Sequence, residues 1–302
     1  MSFIIGLDIG GTKIAGALFD TDRRKVAQIV RSTPEDYSDL ITMCGDIVNQ
    51  LEKQGSHASS IGVGVPGTVD QETGSIPVAT NTPCLSGKPL REDLRRILNR
   101  PVALANDANC AALSEAVGGA GAGYRIVFGL ILGTGVGGGL IVDQKIVAGP
   151  NGLTGEFGHI PLPFRETEDG PLTECLCCQK GCIDKSISGP ALVRLYAAMT
   201  GAQNDATQIA ERARGGDKEA QRVLDRFYTV VAKAMVPVIH MFDPDIIVVS
   251  GGLSNLPGLY NEVPKRWEKY TISKNLRTKF IPAQHGALSG LRGAAWMGRS
   301  LI

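Results

Sequence analysis

Four of the chain's seven cysteines fall within eight positions of one polar stretch, ECLCCQKGCIDKS at 174–186. Thiols this close can bind a soft metal or exchange electrons. Cys44, Cys84 and Cys110 instead stand singly among apolar or small neighbours and read as core residues. Three glycine-rich turns form a second chemical signature: Asp8-Ile9-Gly10-Gly11-Thr12-Lys13, Gly133-Thr134-Gly135-Val136-Gly137-Gly138-Gly139 and Ser250-Gly251-Gly252. Each follows an apolar run. Glycines let backbone N–H groups converge on phosphate oxygens, and a threonine hydroxyl adds one more donor. Gly133 to Gly138 formally matches GxGxxG, but LIVD after it continues a strand instead of opening a helix, which excludes the dinucleotide fingerprint. Gly62 to Gly67 is followed by threonine and valine, so there is no Walker lysine. What remains is a set of hairpin turns able to hold a polyphosphate. Any one of them alone reads better as a plain tight turn; three at equivalent places favour the cradle.

Two carboxylates accompany the turns. Asp8 closes the first apolar run just before its glycines, where it can hold Mg²⁺ directly or through water, or simply cap the turn. Asp107 stands where the short apolar run of RPVALAND meets an alanine-rich helical stretch. A carboxylate there can accept the proton of an attacking hydroxyl, or N-cap the helix.

Positioning these residues requires an α/β frame. Residues 3–9, 13–19 and 25–31 alternate like strands around tight turns and predict a three-strand meander. Thr33-Pro34-Glu35-Asp36 predicts a helix start capped by Thr33, with Leu40, Ile41, Cys44, Ile47, Val48 and Leu51 on its buried face. A buried strand follows at 61–65. The second half repeats the plan, with strands at 126–132, 140–142 and 145–148, a long helix near 217–241 and a strand at 246–249. The expected fold is therefore a duplicated βββαβα of two lobes, joined near the small-residue stretch VGGAGAG at 117–123. The lobes are expected at 1–120, completed by a final helix at 289–302, and at 121–288.

Lysine and arginine number 31 against 30 acidic residues, with no extended basic run, which excludes nucleic-acid and membrane-surface partners. No leader and no apolar run of membrane-spanning length is present, so a cytoplasmic protein with a small-molecule substrate is expected. In that reducing compartment an odd number of cysteines points to metal or redox chemistry rather than disulfides.

DIGGTK at 8–13, GVPG at 64–67, NDAN at 106–109, LGTGVGGG at 132–139, GEFGH at 155–159, the cysteines at 175–182 and DPDIIVVSGG at 243–252 together resemble the ROK family of bacterial sugar kinases over essentially the whole chain. SGKPL at 86–90 and TGEFGH at 154–159 are similar to its N-acetylglucosamine kinase subgroup more than to its fructokinases and glucokinases. The resemblance implies an actin/Hsp70/hexokinase-type, RNase H-like fold that binds ATP and Mg²⁺ and phosphorylates an amino sugar at its 6-hydroxyl. Another hexose, such as fructose, glucose or N-acetylmannosamine, is the alternative substrate. By the family's motifs Gly10, Gly11, Thr12 and Lys13 form the first phosphate loop; Gly133, Thr134 and Gly135 form the second, and Gly251 and Gly252 lie against the adenosine. Asp107 is the implied general base, and Gly67, Asn81, Asn106, Asp107, Glu156 and His159 the sugar contacts. His159, Cys175, Cys177 and Cys182 match the family's structural Zn²⁺ ligands, and a homodimer is implied as well.

The chain departs from the family twice: Cys178 stands where glycine is usual, a fifth thiol able to substitute as a ligand or to oxidise, and Asp184 where a sugar-binding glutamate is usual. Asp184 is therefore expected among the sugar contacts, with its shorter carboxylate reaching the hydroxyls through water or a loop shift. Regulators in the family carry a helix-turn-helix ahead of these motifs; with a first strand from residue 3, an enzyme is expected instead. Intact Asp107 and glycine turns argue against a non-catalytic sugar sensor.

Overall fold

Alternating apolar residues build the antiparallel meander β1 (Phe3–Ile9), β2 (Lys13–Phe19) and β3 (Lys25–Ser32) in the computed structural model, which describes residues 3–79 and 82–301. β4 (Ala58–Val65) runs parallel to β1, and β5 (Val102–Asn106) parallel to β4, giving the order β3-β2-β1-β4-β5. Parallel neighbours need crossovers. These are supplied by α1 (Tyr37–Glu52) and α2 (Leu90–Leu98), and α3 (Asp107–Gly118) follows β5. The predicted face of α1 is buried residue for residue. Its cap is a correction: Asp36, not Thr33, accepts the N–H groups of Ser38 and Asp39, while Thr33 bonds to the first glycine turn.

The second sheet repeats this plan. β6 (Ile126–Leu132), β7 (Val136–Val142) and β8 (Lys145–Ile146) form its meander, β9 (Ile246–Ser250) lies parallel to β6 and β10 (Lys279–Pro282) parallel to β9. Its order, β10-β9-β6-β7-β8, matches the first sheet position for position. Each half thus extends the expected duplication to a fifth strand. The helices of this half are α4 (Asp184–Ile187), α5 (Gly189–Thr200), α6 (Ala206–Arg214), α7 (Lys218–Phe242) and α8 (Leu259–Tyr270), with α9 (Ser289–Arg299) last.

The chain divides into two compact units, one of residues 1–122, 139–154 and 285–302, the other of 123–138 and 155–284, so one break falls within β7. In the first unit α9 lies directly on β1, β4 and α3 because glycines remove the intervening side chains. A Cβ on Gly6 would sit 2.1 Å from Leu291 O, one on Gly62 1.7 Å from Ala294 O, and one on Gly293 1.6 Å from Cys110 O. Ser60 Oγ donates to Gly298 O at 2.8 Å in the same interface. In the second unit the buried Lys233 of α7 is neutralised by Asp169 at 2.8 Å and Glu166 at 3.0 Å, a pairing that a buried charge requires. Among the described residues no helix is long and apolar enough to cross a membrane.

Candidate functional site

In parallel sheets, loops at the carboxyl ends of the strands collect ligands. In the first unit β1 ends at Asp8-Ile9, β4 at Val65 and β5 at Asn106, and Asp8 and Asn106 come to the same sheet edge through the registers Asp8↔Gly64 and Val65↔Asn106. Asn106, not Asp107, caps α3: its Oδ1 accepts Ala108 N–H at 2.8 Å and its Nδ2 donates to Gly67 O at 3.0 Å. Gly67 reaches that position with φ +94, and a Cβ there would lie 2.1 Å from Val78 O. Because Asn106 takes the cap, Asp107 is the first helical residue, exposed at its tip and bonded through Oδ1 to Ala108 N–H.

Although the residue reaches the surface, the protein packed around its carboxylate strips away water and raises the Asp107 pKa above the usual carboxylate value, despite bonds from backbone N–H groups that oppose the shift. Asp8 is pushed up to about 6, first by burial and then by the charge of Asp107, with Lys13 pulling it back. Asp8 offers a hard oxygen donor beside the glycine turn, and the nearby charge of Asp107 favours a neutralising cation there, so Asp8 fits Mg²⁺.

Between Asp8 and β2, Gly10 N–H donates to Lys13 O at 2.9 Å and closes the turn. Among the described residues the N–H groups of Gly11 and Thr12 have no protein partner, and both residues are exposed at the tip. Asn81 lies outside the described residues.

The second unit places its own turns at the ends of β6 and β9. Gly133 N–H bonds Gly135 O at 3.0 Å, and among the described residues the N–H groups of Thr134 and Gly135 have no protein partner. Gly251 adopts φ +88, and a Cβ on it would meet Leu132 O at 2.3 Å, so this glycine lets the two strand ends touch. Gly133, Thr134 and Gly252 line a cavity of about 540 Å³ together with Gly189, Pro190, Ala206, Thr207, Ala210, Arg214, Leu253, Asn255 and Leu256. Of this wall the sequence points to Gly133, Thr134 and Gly252, and the other residues carry no signal in it beyond Ser188-Gly189-Pro190, a helix start with proline in its first turn. A larger cavity, about 660 Å³, lies along β5 and α9, and no predicted site residue lines it.

Beside the second turn, GEFGH packs through Gly158, whose Cβ would come 2.6 Å from Val136 O. Glu156 Oε2 lies 3.9 Å from His159 Nε2, and the other ring nitrogen, Nδ1, lies 3.4 Å from Cys175 Sγ. Cys177 and Cys182 bring their sulfurs to 3.6 Å, and the donor atoms of His159, Cys175 and Cys177 all lie within 4.8 Å of one another. Tetrahedral Zn²⁺ with Zn–S near 2.3 Å separates its sulfurs by about 3.8 Å, so three thiols and one imidazole at these spacings fit zinc. The geometry also divides the labour of His159, with Nδ1 facing the sulfurs and Nε2 turned toward Glu156. Cys178 is exposed, with φ +65 and its Sγ 4.0 Å from Leu176 O, apart from these donors.

Asp184 lies on the second turn. Its Oδ1 accepts Val136 N–H at 2.8 Å and its Oδ2 pairs with Lys185 Nζ at 3.0 Å.

The ROK family model matches residues 4–300. An N-acetyl-D-glucosamine kinase of Pectobacterium atrosepticum is 40% identical over 295 residues, covering 96% of this chain and 97% of its own. A ROK hexokinase from Thermus thermophilus superposes with TM-score 0.86 at 30% identity, covering 99% of this chain and 98% of its own. A ROK glucokinase from Streptomyces griseus, solved with glucose and AMPPNP, gives TM-score 0.77 at 30% identity, covering 99% of this chain and all of its own. With its two matching five-stranded sheets of actin/hexokinase type and this match from end to end, the chain belongs to the ROK family.

Proposed function

We propose that the protein is an ATP-dependent N-acetyl-D-glucosamine kinase that transfers the γ-phosphoryl group to the sugar 6-hydroxyl. The observation that carries the chemistry is Asp107: Asn106 caps the helix in its place, and burial raises its basicity. The choice of sugar is supported by the curated relative of 40% identity that bears this name.

In this reading Asp107 takes the proton of the 6-hydroxyl as that oxygen bonds to the γ-phosphorus, and the bond from phosphorus to the ADP oxygen breaks. The N–H groups of Gly11 and Thr12, and those of Thr134 and Gly135, have no partner among the described residues and are offered to phosphate oxygens. Asp8 would hold magnesium directly or through water, and the ion would supply neutralisation of the phosphate charge. Asn106, Gly67, Glu156 and His159 Nε2 hold sugar hydroxyls, with Asn81 contributing from outside the described residues. Gly252 and the wall of its cavity receive the adenosine. His159 Nδ1 and the thiolates of Cys175, Cys177 and Cys182 would hold zinc, which would keep the His159 ring in place with Nε2 presented to the sugar.

The test is kcat/KM with ATP and Mg²⁺ for N-acetylglucosamine, N-acetylmannosamine, glucose and fructose. The reading expects N-acetylglucosamine to lead by an order of magnitude or more; equal or higher values for glucose or fructose would overturn the substrate assignment. Elemental analysis of the purified protein should find one zinc per chain.

A further inference from the structure

We infer that Asp184 is a positioning residue for the nucleotide, acting through the second glycine turn; this rests on the nucleotide half of the proposed function. Its side chain is 13% exposed, and both carboxylate oxygens are engaged, Oδ1 by Val136 N–H and Oδ2 by Lys185 Nζ. Val136 is the residue at which the Gly133-Thr134-Gly135 turn re-enters a strand. The other end of the turn is held by the same segment, because Gly189 N–H donates to Gly133 O at 2.8 Å. Residues 184 and 189 therefore grip the turn from both sides, and among the described residues the N–H groups of Thr134 and Gly135 have no partner.

A charged acceptor on a backbone N–H makes a stronger bond than a neutral one, so the carboxylate fixes the turn well. The length of this side chain matters. A Cβ on Gly135 would lie 3.2 Å from Asp184 Oδ1, so the carboxylate sits against the turn, and a side chain one methylene longer has to shift its oxygen off the bond to Val136 N–H or displace the turn. Aspartate is the acid that fits here. Its segment begins two residues after Cys182, so the ordered cysteine loop and the phosphate turn are one mechanical piece.

Calorimetric titration of the full chain with MgADP and, separately, with N-acetylglucosamine tests this on three variants. Asp184→Ala and Asp184→Glu should each weaken MgADP by about tenfold. Asp184→Asn, which keeps an Oδ1 acceptor for Val136 N–H, should stay within about threefold of wild type. Sugar affinity and zinc content should not change in any of them. If Asp184→Glu tightens the sugar and leaves MgADP untouched, or if all three variants bind MgADP like wild type, the inference is overturned. Wild-type protein that binds MgADP yet phosphorylates no sugar defeats the kinase reading alone; the MgADP affinities of the variants still decide this one.

Discussion

Thr33 Oγ1 donates to the carbonyl of Gly10 at 2.7 Å, and the Thr33 N–H donates to Thr12 O at 3.1 Å. One residue after β3 thereby holds both sides of the first glycine turn, as the segment from Asp184 to Gly189 holds the second.

Thr33→Val keeps the shape of the side chain and removes the hydroxyl donor. A neutral hydrogen bond contributes about 1 kcal/mol, so KM for MgATP should rise by about fivefold while KM for the sugar stays level. Steady-state kinetics with each substrate varied separately checks this.

Asp107→Asn retains the oxygen that accepts Ala108 N–H and loses the base. General-base catalysis contributes about 10²–10⁴ in rate, so kcat should fall by that factor with sugar affinity within about threefold of wild type. Single-turnover phosphoryl transfer together with calorimetric sugar binding separates the two effects.

The raised pKa of Asp8 sets two opposite pH effects. Between its ordinary value of 3.8 and about 6 the folded protein binds the proton that the unfolded chain has lost, so stability drains away as pH rises through that window. About two pKa units correspond to at most about 3 kcal/mol. Asp8→Asn should therefore stabilise the magnesium-free protein at pH 8 and have little effect at pH 4, as read by urea denaturation at each pH. Activity moves the other way. In the wild type kcat/KM should fall as pH drops through about 6, where Asp8 gains its proton, and Asp8→Asn should be nearly inactive at every pH.

Cys178 occupies left-handed backbone at φ +65, where a Cβ costs roughly 1–2 kcal/mol. Cys178→Gly relieves that strain, offset in part by a more flexible unfolded chain. A rise in Tm of about 1–3 °C with unchanged zinc content is expected; a drop in bound zinc would instead assign the thiol to the metal site.

Gly62→Ala places a methyl group 1.7 Å from Ala294 O, backbone against backbone. Neither side can yield without moving β4 or α9. The variant should lose about 3 kcal/mol or more, visible as a large drop in Tm or as insoluble expression.

Where local physics decides, the sequence was legible. The six buried residues of α1 follow from helical period alone, and the strand bounds of β1, β2 and β6 follow from apolar runs ended by glycine turns. Thr33 was misassigned because Thr-Pro-Glu-Asp satisfies every local rule for a helix start, whereas its partner Gly10 is 23 positions away. β10 went unseen because KFIP is four residues long and ends in proline, and it is a strand only because β9 lies beside it. Asp8 and Asp107 were legible as candidates, but their mutual repulsion depends on β1 and β5 ending at the same edge. The cavity wall of Ala206, Thr207 and Arg214 comes from α6, and its residue types carry no signal of their own.

The hydrogen bond from Ser60 to Gly298 spans 238 positions of chain. Until the ribosome has made α9, the first sheet shows solvent the bare glycine face that this helix will cover, and Asp8 lacks Gly290, whose Cβ would stand 3.1 Å from its Oδ2. The earliest strands to be synthesised must therefore wait for the last helix. A nascent chain carries an unfinished apolar surface, and an incomplete setting for Asp8, until α9 emerges.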